Sequence, residues 1–524
     1  MIKSRATVPL GHGELVLRPE YAEWKDVAEK NRRASGEWDF SVAGTHIAAV
    51  REQARRELLE SASAFSARLG TGVQQPRGPS DAIVMTGHQP ELFHPGVWAK
   101  HFLLQRIAND LGATAVDVVV DTDGFASIAV TAPCMAPEVR RCTQYLAIGT
   151  KDNCFACTAP PAADDVDQFC RTCDQLLSTL PAPAVRRHFG EFCDALGSAR
   201  VDASNLSELL TFARRRYEAP TGTDYLELPI TDLIRGRSFA DFVADMALGA
   251  RRFSEVYNDE LGKYRSLNNT RSTAQPFPNL EIGETRVELP LWAIEDGRRQ
   301  TVYAQESPTG VRLLRGERPI VDLPRDGIAA ASLLQETHAQ IAPKAVALTL
   351  FVRVFCCDLF IHGVGGGRYD VVTNGVCRRF YGVEPPSFVV ASLTMYLPLG
   401  AHNVTDDELA VARKRLNTLA HNPDSLLGEV QFETEAEREE AVRLASEKDV
   451  LVREIASPDA DKKVLGAKIR EVNATLAEIL LPLREEYTQE LTRLEAQRQA
   501  TEVFTNRGYP YCLWSPEEIA DKVR

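Results

Sequence analysis

Residues Asp81 to Asp123, DAIVMTGHQPELFHPGVWAKHFLLQRIANDLGATAVDVVVDTD, constrain the fold more than any other stretch of the chain. Ala82 to Met85 is a short apolar run that stops at Thr86-Gly87, and Val97 to Leu111 carries apolar residues at helical spacing. Pro95 stands where the first turn of a helix tolerates proline, and Ala115 to Val120 is apolar on both faces, as a buried parallel strand is. The stretch therefore reads as a strand, a helix and a second, parallel strand. In open parallel sheets ligands bind beyond the carboxyl ends of the strands. The polar residues lie there: Thr86, Gly87, His88 and Gln89 after the first strand, Asp121 and Asp123 after the second.

A chain of 524 residues exceeds what one core supports, so two or three domains are expected. Its formal charge of -13 opposes a nucleic-acid backbone or an anionic membrane as main partner. The first residues, MIKSRATVPLGHGELVLRP, lack the apolar core of a signal peptide, and nowhere is there an uncharged apolar run of about 18 residues. A cytoplasmic protein is expected. Its eleven cysteines then read as reduced thiols. Cys154, Cys157, Cys170 and Cys173 approach the spacing of a structural zinc site, but the second pair falls inside an amphipathic helical pattern. Half-buried thiols are the preferred reading there and zinc is the alternative.

Along the chain, Glu14 to Leu17 reads as a strand, and Tyr21 to Ala34 and Thr45 to Leu69 read as helices. After Asp123, Ala126 to Val130 and Val139 to Ile148 read as strands. Residues 150–220 are helical and punctuated by Ala-Pro-Pro and Pro-Ala-Pro, which suggests an insertion capping the site. Tyr225 to Ile230 is a candidate return strand, and Phe239 to Leu261 a long amphipathic helix. The polar stretch Tyr264 to Thr273 offers Arg265 and Arg271 to an anionic substrate, with an exposed loop as the plain alternative. Glu295-Asp296-Gly297-Arg298 is a hairpin signal. A strand over Leu359 to His362 leads into Gly363, Gly365, Gly366 and Gly367, and a helix is expected from Arg368 to Phe380. Glycines let backbone N–H groups approach an anion, so phosphate or carboxylate binding is one reading and a tight strand-to-helix turn the other.

From Thr405 the composition turns to charged helix. Thr405-Asp-Asp-Glu408 is a capping box, and Ser457-Pro458 is expected to start the longest helix. Leu465, Ile469, Val472, Leu476, Ile479 and Leu483 alternate spacings of four and three, the signature of a coiled-coil seam, with Pro482 as a kink. Glu433 to Ile455 is the expected partner, in an antiparallel hairpin that also suits a homodimer. The aromatic tail, Phe504 to Trp514, is expected to pack back on the body. The expected division is 1–149 and 221–400 as the two parts of the core, 150–220 as the insertion, 401–503 as the helical domain and 504–524 as the tail.

In plan the chain resembles the bacillithiol biosynthesis cysteine-adding enzyme family. That family ends a strand in Thr-Gly-Gln-Gln-x-x-Leu-Phe, to which Thr86-Gly87-His88-Gln89-Pro90-Glu91-Leu92-Phe93 is similar. Its Glu-Asp-His-Asp motif is similar to Asp121-Thr122-Asp123-Gly124, its Gly-Gly-Pro-Gly-Glu loop is matched in position by Gly363 to Gly367, and its C-terminal coiled coil by Thr405 to Ala500. The first Gln is His88 here, the acidic motif lacks its His, and the glycine run lacks the Pro and Glu, with His362 and Arg368 around it. The resemblance implies an α/β fold: a Rossmann-like, nucleotidyltransferase-type parallel sheet with helical insertions and a C-terminal antiparallel coiled coil used in dimerisation.

It also implies a reaction, the joining of a cysteine carboxyl group to the amine of an amino-sugar conjugate. A carboxylate is a poor electrophile, so ATP or ADP is the expected nucleotide, with magnesium as a possible companion. His88 and His94 are candidate cations for developing phosphate charge, while Asp121 and Asp123 suit an ammonium group or magnesium. Thr86, Gly87, Gln89, Arg271, His362, the glycines from Gly363 to Gly367 and Arg368 are candidates for holding substrate or anion. The alternative for each histidine is a hydrogen-bonded structural role. Two other readings of the whole stay open: different chemistry on the same nucleotide- or anion-binding core, and a non-catalytic coiled-coil scaffold.

Overall fold

The computed structural model describes residues 7–135, 139–150, 152–272, 275–337, 339–400 and 404–524. The first six residues of the signal-peptide reading and Thr273 of the polar stretch lie outside them. Ile83–His88, the helix Pro95–Leu111 and Thr114–Val119 follow one another as expected, and the two strands pair in parallel from Ile83 opposite Thr114 to His88 opposite Val119. The helix begins where the His94 side chain accepts the Gly96 N–H (3.0 Å). It ends at Gly112, whose φ of 59° is the left-handed conformation that glycine adopts without strain.

This unit is the centre of a six-stranded sheet in the order Leu15–Arg18, Val389–Leu393, Leu359–His362, Ile83–His88, Thr114–Val119, Leu226–Pro229. Five strands are parallel, and Leu15–Arg18 closes one edge antiparallel to Val389–Leu393. After Ile83–His88 the chain first adds strands on one side, through Thr114–Val119 and Leu226–Pro229. It then returns to the other side with Leu359–His362 and Val389–Leu393. The reversal leaves a crevice between the carboxyl ends of Ile83–His88 and Leu359–His362, the switch point of a doubly wound, Rossmann-like sheet.

The helices of the 150–220 span are Ala163–Leu177, Pro183–Asp202 and Leu206–Glu218. They cap the strand ends only in part. The start of Leu206–Glu218 stands beside Asp121, but Arg214 and Arg215 further along lie on the sheet, where Arg214 meets Asp117 in mid-strand at 3.2 Å. A second sheet of five antiparallel strands contains the expected hairpin, Arg286–Glu295 with Arg298–Ser307. Asp296 (φ 49°) and Gly297 (φ 75°) are both left-handed, as a two-residue hairpin turn requires.

The glycine run differs from expectation. Gly363 is the N-cap of a six-residue helix, Val364–Tyr369, so the glycines form its first turn rather than a loop, and Val371–Phe380 follows Asp370. None of these glycines is left-handed. Close packing explains two of them: a Cβ on Gly367 would come within 2.5 Å of Val390, and one on Gly366 within 2.9 Å of the His362 ring.

The chain divides into two compact units, one made of 1–134, 141–397 and 507–524, the other of 135–140 and 398–506. The second unit carries Asp406–His421, Glu435–Ile455, Lys462–Ile479 and Leu481–Phe504. Capping boxes at Thr405 and Thr434 start two of these helices. Ser457-Pro458 starts none: Asp461 accepts the N–H groups of Lys463 and Val464, so the helix begins at Lys462, and the longest is Leu481–Phe504. Pro482 sits in the first turn of that last helix and marks a break, not a bend within one helix. Val472 and Leu476, with Leu465, Ile469 and Ile479 around them, pack on Ala441, Leu444 and Leu451. Leu483 leaves this seam for a cluster with Leu419, Leu426 and Tyr487. Leu476 is fully buried. Leu476→Asp is therefore expected to destabilise this unit by about 3 kcal/mol or more, read as a lower urea midpoint.

Candidate active site

The switch-point crevice is built from strand ends. The Thr86 hydroxyl donates to the Ile361 carbonyl (2.8 Å), tying the two central strands together just below it. Lys100, one turn into the Pro95–Leu111 helix, is 2% exposed and donates to the Gly87 carbonyl at 3.0 Å. Burial, with Arg214 adding to it and Asp117 opposing, brings this ammonium down to about 8. Its charge reaches three imidazoles. His88, half-buried at the strand end, is pushed by burial and then by Lys100 down to about 3. His94 is pushed by burial, Arg507 and Lys100 down to about 4. His362 is held below its ordinary value by burial, with Arg353 and Lys100 assisting. Arg507 enters from the tail and donates to Ser392 Oγ (3.0 Å) and the Leu393 carbonyl (3.2 Å). A Cβ on Gly96 would meet both that carbonyl and the Arg507 guanidinium.

On the glycine side, the His362 ring pairs with Asp370 at 2.8 Å, and Asp370 also takes Arg353 at 2.5 Å. Burial alone would raise Asp370, but Arg353 and His362 hold it well below the usual carboxylate range. Behind Lys100 runs a layer of buried charge. Arg214 meets Asp117 (3.2 Å), Glu227 (2.8 Å) and Glu218 (3.4 Å), while Arg215 meets Glu218 (3.2 Å) and Glu227 (3.5 Å). Tyr225 and Trp98 both donate to Glu218 at 2.5 Å, and His101 stacks on Tyr225 within 3.3 Å of Asp117. Arg214 and Arg215 offset Asp117, Glu218 and Glu227 here, burial pushes the Glu227 carboxyl well above its ordinary value, and among the described residues Asp117 Oδ1 and Glu227 Oε2 have no hydrogen-bond partner.

Of the residues singled out in the sequence, Thr86, Gly87, His88, His94, His362 and Gly363 gather at this crevice. Gln89 and Asp123 form its rim, with Gln89 donating to Asp123 (2.9 Å) and Arg299 of the second sheet pairing with Asp123 (2.8 Å). Gly365, Gly366 and Arg368 are exposed on the short helix. Arg271 is exposed on its loop.

Three expectations are corrected. His88 and His94 are neutral at pH 7 because they are shielded from water and face existing cations, so the cationic groups of the crevice are Lys100 and Arg507. Asp121 turns away from the crevice to accept the Thr231 N–H (3.1 Å) and hydroxyl (2.5 Å), and it lines a separate cavity of about 420 Å³. With Asp121 so engaged and Asp123 paired to Arg299, the two do not fit a shared magnesium ion, and among the described residues no cluster of three His, Cys, Asp or Glu suits a metal. The four cysteines considered for zinc separate, since Cys154 and Cys157 are joined to each other while Cys170 and Cys173 sit on the Ala163–Leu177 helix. Cys134 and Cys142 form a second disulfide, so four of the eleven cysteines are not reduced thiols.

Lys100, His101, Asp117, Arg214 and Arg507 are absent from the sequence-based set. Lys100-His101 interrupts the apolar run from Val97 to Leu104 and Asp117 an apolar strand, which was the available signal. No protein-family model matches the chain, and no curated protein matches it. Among the described residues, no helix is long and apolar enough to cross a membrane.

Proposed function

We propose that the crevice is the active site of a ligase of the cysteine-adding type, a divergent relative of the bacillithiol enzymes on a nucleotidyltransferase-like core. It joins cysteine or a similar amino acid to an amino-sugar conjugate after nucleotide-dependent activation of the carboxylate. The observation that carries this reading is Lys100, a nearly buried ammonium that gives one N–H to Gly87 and retains donors for an anion at the switch point. The imidazoles of His88 and His94, uncharged at pH 7, stand beside it without competing for the anion's charge. Arg507 adds a second cation at the start of the Pro95–Leu111 helix, whose N-terminal dipole favours the same ligand charge. In this reading the helical unit joins two chains, and a sedimentation experiment that finds a monomer removes that part alone.

Calorimetric titration of ATP and ADP into the full chain tests the site. Lys100→Met keeps the stem and deletes the charge, so nucleotide affinity is expected to fall about 10- to 100-fold, with thermal melts checking that the variant folds. Parent affinity is also expected to weaken as pH rises through about 8, where Lys100 loses its proton. Equal affinity in parent and variant sinks the reading.

A further inference from the structure

The turn Cys154-Phe155-Ala156-Cys157 is used neither by the crevice nor by the buried charge layer. Its cysteines are joined as a disulfide, with Cys154 fully buried and Cys157 exposed. Ile294, Ala342 and Trp292 of the second sheet cover Cys154. The turn is pinned to the strand end below it: Ala156 N–H donates to the Asp121 carbonyl (3.0 Å) and Phe155 N–H to the Asp123 carbonyl (3.1 Å). Phe155 stacks on Phe125 at 4.8 Å. Cys157 opens onto the cavity of about 420 Å³, which it shares with Asp121, Ser207, Glu208, Thr231 and Arg235.

Cysteines separated by two intervening residues on a turn fixed by backbone hydrogen bonds have the arrangement of dithiol redox sites. Exchange requires a thiolate to reach one sulfur, and here access is one-sided. The cavity beside the open sulfur is of small-molecule size. Asp121, on the same wall, is a carboxyl that burial pushes up to about 7, so a proton-holding group accompanies the disulfide.

We propose that Cys154–Cys157 is a redox-active disulfide that exchanges with low-molecular-mass thiols entering the Asp121 cavity. A small thiolate attacks Cys157 Sγ. The new mixed-disulfide bond forms as the Cys154–Cys157 bond breaks, and the bonding pair leaves on Cys154, which takes up a proton. A second small thiolate attacks the small-molecule sulfur of the mixed disulfide, releasing the small-molecule disulfide and the Cys157 thiolate, which is protonated in turn. In sum, two small thiols are oxidised to one disulfide and the protein pair is reduced to two thiols; the reverse sequence oxidises the pair. None of these steps depends on the ligase reading.

The test equilibrates the full chain with L-cysteine and L-cystine at graded ratios, quenches in acid, alkylates, and reads each cysteine by peptide mass spectrometry. Cys154 and Cys157 are expected to gain thiols together while Cys134 and Cys142 stay joined. Cys154→Ser is expected to trap one cysteinyl adduct on Cys157, and Cys157→Ser to leave Cys154 reacting at least about tenfold more slowly, because its sulfur is covered. Thermal melts check that both variants fold, and the titration of the parent chain stands without them. A pair that stays oxidised at every ratio in the folded protein, or equal adduct rates at the two sulfurs, overturns the proposal.

Discussion

Replacing Arg214 with alanine is expected to cost about 3–5 kcal/mol, the largest loss from any single change at this site. Its guanidinium touches Asp117, Glu218, Glu227 and the Tyr225 hydroxyl, all of them almost completely buried. Removing it leaves three carboxylates in a space that water does not reach, and Arg215 is already engaged with two of them. An unpaired buried charge is far more costly than the net value of the pair suggests. Urea unfolding of parent and variant at pH 7 measures the difference. A loss below about 1 kcal/mol would mean that the cluster is wetter and less coupled than its geometry implies. The surface pair Arg443 with Glu440 is the control, and its removal is expected to change little.

The second large effect has the opposite sign. Asp121→Asn is expected to stabilise the body by on the order of 3 kcal/mol above pH 7. Burial raises the Asp121 carboxyl to about 7, and the two donors from Thr231 only partly offset this. Between the ordinary carboxylate value and about 7, the folded protein binds a proton that the unfolded chain has lost, so stability falls as pH rises through that window. Asparagine keeps an acceptor for the Thr231 N–H, gives a donor to its hydroxyl, and has no charge to bury. The gain should therefore be small near pH 4, grow through pH 7 and then level off, as followed by denaturant midpoints across the range. A gain that does not change with pH would place the cause elsewhere.

Much of the sheet was legible because its strands obey one rule throughout. Ala82 to Met85, and Ala115 to Val120 apart from Asp117, are apolar on both faces, as strands of a parallel sheet covered on both sides are. The Asp296-Gly297 turn was readable for a similar reason, since both positions need a left-handed backbone. The site was harder. His88, His94 and His362 were found because they end strands or start helices, but their protonation states were not, since these depend on Lys100 and Arg507, which come from a helix face and from the distant tail. Arg214, Arg215 and Arg216 fell within the helical 150–220 span, and no reading of the sequence assigned them a role. In the fold the first two lie inside and Arg216 alone stays at the edge, pairing with Asp202. A run of arginines carries no sign of which side it faces until Glu218 and Glu227, nearby in the chain, and Asp117, about 100 residues away, are brought beside it. The glycine run was ambiguous for a related reason: at Gly367 a close neighbour, Val390, demands glycine as strongly as a bound anion does.

The return of 507–524 to the body bears on how the protein is made. Tyr511 N–H donates to the Phe93 carbonyl, Tyr217 donates to the Trp514 carbonyl, and Arg507 reaches the end of the Val389–Leu393 strand. Between that strand and Arg507 lies the whole of the 398–506 helical unit. On the ribosome the sheet therefore waits, with Phe93, Trp98 and the crevice uncovered, while about a hundred intervening residues are translated at the ordinary few per second. For that interval the nascent body has its strands but not its closing segment, and a chaperone that shields aromatic surface has its clearest opportunity there.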